Sequence, residues 1–208
     1  MSVTLIIIIV TGLVSFNAFK NPTLKSRLMF NPYIIIRDKE YHRFITSGFI
    51  HGDMLHLLFN MFVLYMFGTY VENIFYAIYG TMGIVLYVLM YLLGIIVSDI
   101  PSFIKHKDAP YYNALGASGG VSSLLFSFII FDPSHELCLY ALDFLCFPGF
   151  IWGALYIVYS FYMGKKGHGN INHDAHLYGG LFGILFTIIA VPGVIPNFIA
   201  QLSNFSLF

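Results

Sequence analysis

The sequence predicts an all-α polytopic membrane protein, a bundle of six transmembrane helices forming one domain over residues 1–208. Three observations predict it. Hydrophobic residues make up 58% of the chain and charged residues 10%, against roughly 25% charged in an ordinary soluble domain. Mean hydropathy is +0.80, and the apolar residues fall into runs close to the roughly 20 residues that cross a hydrocarbon core. The polar residues inside those runs recur near the starts of alternate helices. Ten Lys and Arg balance ten Asp and Glu, so there is no basic surplus to attract nucleic acid. Cys138 and Cys146 are read as neither a disulfide framework nor a metal-ligand pattern, and no cofactor or metal is expected.

The first apolar run, Val3 to Phe19, is uncharged and lacks a basic start and a clear cleavage site, so it reads as a retained helix over 3–19. Lys20 to Ile50 carries six of the basic residues (Lys20, Lys25, Arg27, Arg37, Lys39, Arg43) and two prolines, and is expected to be a long interfacial loop. A second helix is expected over 53–74 and, after Gly80, a third over 81–97. Asp99 to Leu115 is polar with two prolines and reads as a loop. The fourth helix, 118–132, stops where Pro133 cannot continue it. Leu137 to Phe147 is too short to span and contains Asp143, so it is expected to be a re-entrant or interfacial connection. The fifth helix covers 148–164, Gly167 to Ala175 is a loop, and the sixth covers 176–191. The tail from Pro192 is expected to run back along the membrane surface.

Polar groups at membrane depth are costly unless partnered, which makes each one a functional candidate. With six spans, the second, fourth and sixth helices begin on one side of the membrane. His51, His56 and Asn60 open the second, Ser118 opens the fourth within Gly116-Ala117-Ser118-Gly119-Gly120, and His176 opens the sixth. A serine, histidines and an amide therefore converge on one face. That set suits acyl transfer: histidine is the usual base for a serine hydroxyl near neutral pH. Glycines around Ser118 leave it open, and the backbone N–H groups of a helix start would stabilise an oxyanion. His56 and Asn60 share a helical face at i,i+4. Gly116 with Gly120, and Gly179 with Gly183, are small-residue pairs that permit close helix contact.

On Arg43-Phe44-Ile45-Thr46, His51-x4-His56-x3-Asn60, Gly116-Ala117-Ser118-Gly119 and Ala175-His176-x2-Gly179-x3-Gly183, the chain resembles the rhomboid intramembrane serine proteases. The four motifs run from Arg43 to Gly183 in the family's order. The resemblance implies a six-helix bundle with a Ser118–His176 dyad and no acidic third member. It implies an oxyanion site of His56, Asn60 and the Ser118 backbone N–H, with Arg43, His51, Gly116, Gly179 and Gly183 in supporting roles. Transmembrane proteins are the implied substrates and the lipid bilayer the surroundings. Two positions depart from the pattern. Trp often precedes the loop arginine, where this chain has His42. A tyrosine often stands four residues after the nucleophile, where this chain has Ser122, leaving Tyr178 or a nearby Phe to hold the His176 ring.

Each feature taken singly has a plainer reading. Ser118 alone fits helix packing, and His176 alone fits a buried histidine bonded to a carbonyl. His51 is expected to support its loop, Asp174 to be solvated, and His168 and His173 to lie exposed in a loop. Arg43 and Glu72 look structural, each needing a partner. All ten Lys and Arg fall in the first, third and fifth loops, which the positive-inside tendency would place in the cytoplasm. The resemblance implies the opposite, a site facing away from the cytoplasm of a cell (plasma or inner) membrane, and that orientation is the expected one. The leading function is an intramembrane serine endopeptidase; the alternative is a catalytically silent relative that binds membrane clients. A histidine-based metal enzyme is disfavoured, since His-Glu-x-x-His is absent and His51 and His56 diverge at i,i+5.

Overall fold

The computed structural model describes residues 2–138, 146–166 and 172–205. It is mostly helical. Helix α1 spans Val3–Lys20, and the expected first loop folds into three short helices, α2 (Pro22–Leu28), α3 (Pro32–Asp38) and α4 (Arg43–Thr46). Two of these start on Asn-Pro: the side chains of Asn21 and Asn31 accept from the N–H of Leu24 and Ile34, with proline at the first helical position. The loop is thus built rather than slack. Helix α5 (Met54–Val63) passes through a π-helical turn at Leu64–Gly68 into α6 (Thr69–Tyr79). Asp53 caps α5 by accepting from His56 N–H at 2.8 Å.

Helix α7 runs from Thr81 to His106 and contains Pro101, so the expected loop from Asp99 starts eight residues too early. Proline removes one backbone hydrogen bond, but tertiary packing holds the helix together beyond it. Ser98, Asp99 and Ser102 are buried, and Ser98 Oγ donates to Ile95 O at 2.8 Å. Helix α8 (Ser118–Phe131) is 14 residues long and is buried over most of its length, which makes it the axis of the bundle. Helix α9 (Gly149–Lys166) follows, then α10 (His173–Ala190) and α11 (Val194–Ser203). Helix α11 leaves α10 at a bend of 111° and packs back on the end of α8, where Gln201 Nε2 donates to Phe131 O at 2.9 Å.

Between α8 and α9 two short strands, β1 (Glu136–Cys138) and β2 (Cys146–Pro148), pair antiparallel. Cys138 and Cys146 face each other in that register and form a disulfide, which corrects the reading that the two cysteines make no disulfide framework. The pair is eight residues apart in sequence, and the hairpin register brings it together. Asp143 lies outside the described residues.

Among the described residues three helical stretches are long and apolar enough to cross a membrane: Val3–Lys20, Met54–Tyr79 and Thr81–His106. The bent pair of α10 and α11 would make a fourth. The core gathers around α8, with Leu64, Phe75, Tyr87, Tyr91 and Leu124 fully enclosed. Two buried polar centres brace it. Glu72 on α6 accepts from Ser2 Oγ (2.6 Å), Val3 N–H (2.7 Å), Thr4 N–H (2.9 Å) and Thr4 Oγ (2.6 Å), and so caps the start of α1. Arg43 donates to Glu40 (2.6 Å) and to the carbonyls of Ser26 (2.7 Å) and Met29 (2.8 Å), tying α2 to α4. These are the partners that both charged residues required.

Candidate active site

Ser118 is the first residue of α8, and Ala117 is its cap. The first hydrogen bond of the helix runs from Val121 N–H to Ala117 O at 3.0 Å. The N–H groups of Ser118, Gly119 and Gly120 thus fall among the orphan donors of a helix start. They present positive partial charge beside the serine hydroxyl.

The approach to Ser118 is held by the histidine loop. His51 is fully buried; its Nε2 accepts from Ala117 N–H at 3.3 Å and its Nδ1 lies 3.0 Å from Ser15 Oγ. Ser15 Oγ itself donates to Phe49 O at 3.0 Å. With Nε2 accepting, the His51 proton belongs on Nδ1 and the ring is neutral. Burial depresses its pKa to about 3, and the nearby His56 ring pushes the same way against an opposing Asp53. The His56 ring stands edge-on to His51 at 4.9 Å. It also packs on Gly116, whose φ of +120° and lack of Cβ both matter, since a Cβ there would meet His56 Cε1 at 2.8 Å. Gly52 N–H points at His56 Nδ1 at 3.5 Å. Asn60 is buried one turn on, with Nδ2 donating to His56 O at 2.9 Å.

His176 arrives on α10 through a backbone contact. A Cβ on Gly179 would collide with the Gly119 carbonyl oxygen, and one on Gly183 with the Ser123 carbonyl oxygen. Ser123 Oγ donates to Gly179 O at 2.9 Å and to Gly119 O at 3.0 Å, clamping the crossing. Close contact between α8 and α10 was expected, but its partners are Gly119 and Ser123. Gly116 instead faces His56, and Gly120 faces Tyr91 on α7. Ser118 and His176 thus sit at the adjoining ends of two helices in backbone contact. Among the described residues, Ser118 Oγ and the His176 ring make no hydrogen bond to one another. Such bonds are often long or misaligned before substrate binds.

Several residues stand elsewhere than expected. His173 is not in an exposed loop: it is buried at the start of α10, with its ring 6.0 Å from His176 and 5.5 Å from Tyr159. Asp174 is half-buried, its carboxylate packed against Gly164 of α9, not freely solvated. Tyr178 is 42% exposed and is not the residue against the His176 ring. Tyr156 of α9 takes that place, at 6.0 Å between centroids and 20° between planes. The sequence held one sign of it, three tyrosines (156, 159 and 162) at i,i+3 spacing on the fifth helix. Asn172, which caps α10 and bonds Ser102, was also missed. His168 lies outside the described residues, and there is no cluster of metal ligands among those described.

The Rhomboid domain family matches residues 38–193, three-quarters of the chain, a range that includes His51, His56, Asn60, Ser118 and His176. The chain belongs to the rhomboid family. RHOMBOID-like protein 12, mitochondrial, of Arabidopsis thaliana is 28% identical over 193 residues, covering 82% of this chain and 55% of its own length. Presenilin-associated rhomboid-like protein, mitochondrial, of Rattus norvegicus is 29% identical over 145 residues, covering 68% of this chain and 36% of its own; the Homo sapiens protein of that name is 28% identical over the same span. This rhomboid therefore spans about half, or about a third, of the length of these relatives. Their mitochondrial names overturn the expected plasma or bacterial inner membrane, and with it an orientation defined by a cytoplasm.

Proposed function

We propose that this rhomboid is an intramembrane serine endopeptidase that cleaves transmembrane segments of other membrane proteins, with Ser118 as nucleophile and His176 as base. The observation that carries the reading is the backbone contact of Gly179 on Gly119, which sets a glycine-flanked serine beside a histidine at adjoining helix ends. Ser118 Oγ attacks the scissile carbonyl while His176 takes its proton. The tetrahedral oxyanion is met by the Ser118 N–H, with His56 and Asn60 as side-chain donors. His176 then protonates the leaving amine, and water attacks the acyl-enzyme as His176 again removes the proton. A substrate helix must unwind locally to expose its carbonyl, so small or helix-weakening residues mark the cleavable segment.

In this reading the chain crosses the membrane six times, by α1, α5 with α6, α7, α8, α9 and α10. The helix starts that carry the site then open toward water at one face. The membrane we infer is mitochondrial, on the strength of the relatives' names. Partners are transmembrane substrates and the lipid bilayer.

The test is labelling of detergent-solubilised protein by a fluorophosphonate probe, comparing wild type with Ser118→Ala and His176→Ala. Labelling lost in both variants supports the reading. A folded wild type that does not label favours a client-binding rhomboid without catalysis.

A further inference from the structure

Ser122 stands one helical turn after Ser118 on α8, with a side chain too short to reach the His176 ring as an aromatic would. The structure fills that space from another helix. Tyr156 of α9 lies nearly parallel to the His176 ring, 6.0 Å between centroids and 20° between planes. Its hydroxyl is 2.8 Å from Ser122 Oγ, and Ser122 is buried. The tyrosine ring also meets Phe126 edge-on at 5.5 Å. Three contacts from two helices fix one side chain: a hydrogen bond to α8, an edge contact to α8, and a stack on α10. Alternatives for the same job are occupied or turned away, since Tyr178 is exposed and His173 presents only an edge to His176.

We infer that Tyr156 is the positioning residue for His176, latched to the nucleophile's own helix through Ser122. The inference rests on the proposed function, because it assigns a helper to the base of that reaction. A stacked tyrosine restricts the imidazole to one plane, and the Ser122 hydrogen bond keeps the tyrosine from swinging with it. The base is thereby held across the seam between α8 and α9.

The test separates the stack from the latch. Fluorophosphonate labelling rates are measured over a range of probe concentrations for wild type, Tyr156→Leu, Tyr156→Phe, Ser122→Ala and the double variant Tyr156→Phe/Ser122→Ala. Loss of the platform misplaces the base, so Tyr156→Leu lowers the maximal inactivation rate by about 10- to 100-fold with probe affinity unchanged. Tyr156→Phe keeps the stack and retains most of that rate. Because it and Ser122→Ala remove the same hydrogen bond, the double variant falls no further than either single one. A Tyr156→Leu rate within about twofold of wild type overturns the inference, as does a parallel loss of rate, probe affinity and thermal stability. A second measurement does not depend on activity: in histidine-labelled protein the His176 ring resonances shift in Tyr156→Leu and stay in place in Tyr156→Phe. Unshifted resonances in Tyr156→Leu overturn the inference. A wild type that never labels, or labels without Ser118, overturns the proposed function instead, and the resonance experiment still decides the role of Tyr156.

Discussion

Gly179 rests on Gly119 so closely that a Cβ on Gly179 would strike the Gly119 carbonyl oxygen. The obstacle is backbone, which cannot rotate aside as a side chain can. Gly179→Ala must push α10 off α8 at the level of the site. The expected cost is about 1–3 kcal/mol of stability, with fluorophosphonate labelling lost because Ser118 and His176 part. Gly12, on α1, has nothing within 4 Å of the point where a methyl group would stand, so Gly12→Ala keeps both wild-type stability and labelling. Thermal unfolding in detergent, run beside labelling, checks the pair; a Gly179→Ala variant as stable and active as Gly12→Ala would falsify the close crossing of α8 and α10.

His51 makes a pH prediction with a definite sign. Its folded pKa is depressed from 6.5 to about 3, so the unfolded chain binds a proton that the folded chain refuses. The stability it contributes is fully present above pH 6.5 and is lost as pH falls toward 3. His51→Ala leaves Ala117 N–H without its acceptor, at a cost of about 1–3 kcal/mol near neutral pH. The difference in melting temperature between wild type and His51→Ala is expected to shrink steadily on acidification from neutral pH. A difference that stays constant with pH means that His51 is not held neutral.

Much of this site was legible because its residues sit where periodicity and composition are loudest. Ser118 between glycines, and His176 opening an apolar run, stand out because a membrane sequence has few polar residues to confuse them. What could not be read depended on contacts between distant segments. Pro101 and Asp99 look like a helix end in isolation, yet packing of Ser98 and Ser102 carries α7 to His106. Cys138 and Cys146 acquire meaning from a hairpin register. Tyr156 has no motif of its own, since what defines it is the gap left by a serine at position 122 on another helix. Glycine pairing was right in kind and shifted in register, because spacing shows that helices can touch but not which residues meet.

Glu72 carries a prediction about the far end of the bundle. Its two oxygens accept four hydrogen bonds at the start of α1, two of them from backbone N–H groups. Glu72→Ala strands those donors in a low-dielectric setting, at an expected cost of about 2–4 kcal/mol. Glu72→Gln keeps one acceptor oxygen and costs less. Because this network lies away from Ser118, any Glu72→Gln protein that remains folded should label at the wild-type rate. Unfolding midpoints for the two variants, read with labelling at a temperature below both, check the order.

Charge and sulfur together predict the orientation. Every Lys and Arg lies at the site end, in the α1–α5 connection, at the end of α7 or at the end of α9. The opposite end holds Glu72, Asp132 and Glu136 and the Cys138–Cys146 disulfide. Cationic loops stay on the side from which a chain is inserted, and disulfides persist in oxidising compartments. Both arguments put the Ser118 face on the side of insertion and the hairpin on the opposite, oxidising side; in the mitochondrial membrane proposed above, these are the matrix side and the side exposed in mitoplasts. In a background of Cys138→Ser and Cys146→Ser, single cysteines introduced as Glu136→Cys and Lys107→Cys report on the two ends. In sealed mitoplasts a membrane-impermeant maleimide should label the protein with Glu136→Cys and spare the one with Lys107→Cys until detergent is added. The reverse pattern turns the molecule over, and it would mean that loop cations embedded at the interface do not count toward topology in this chain.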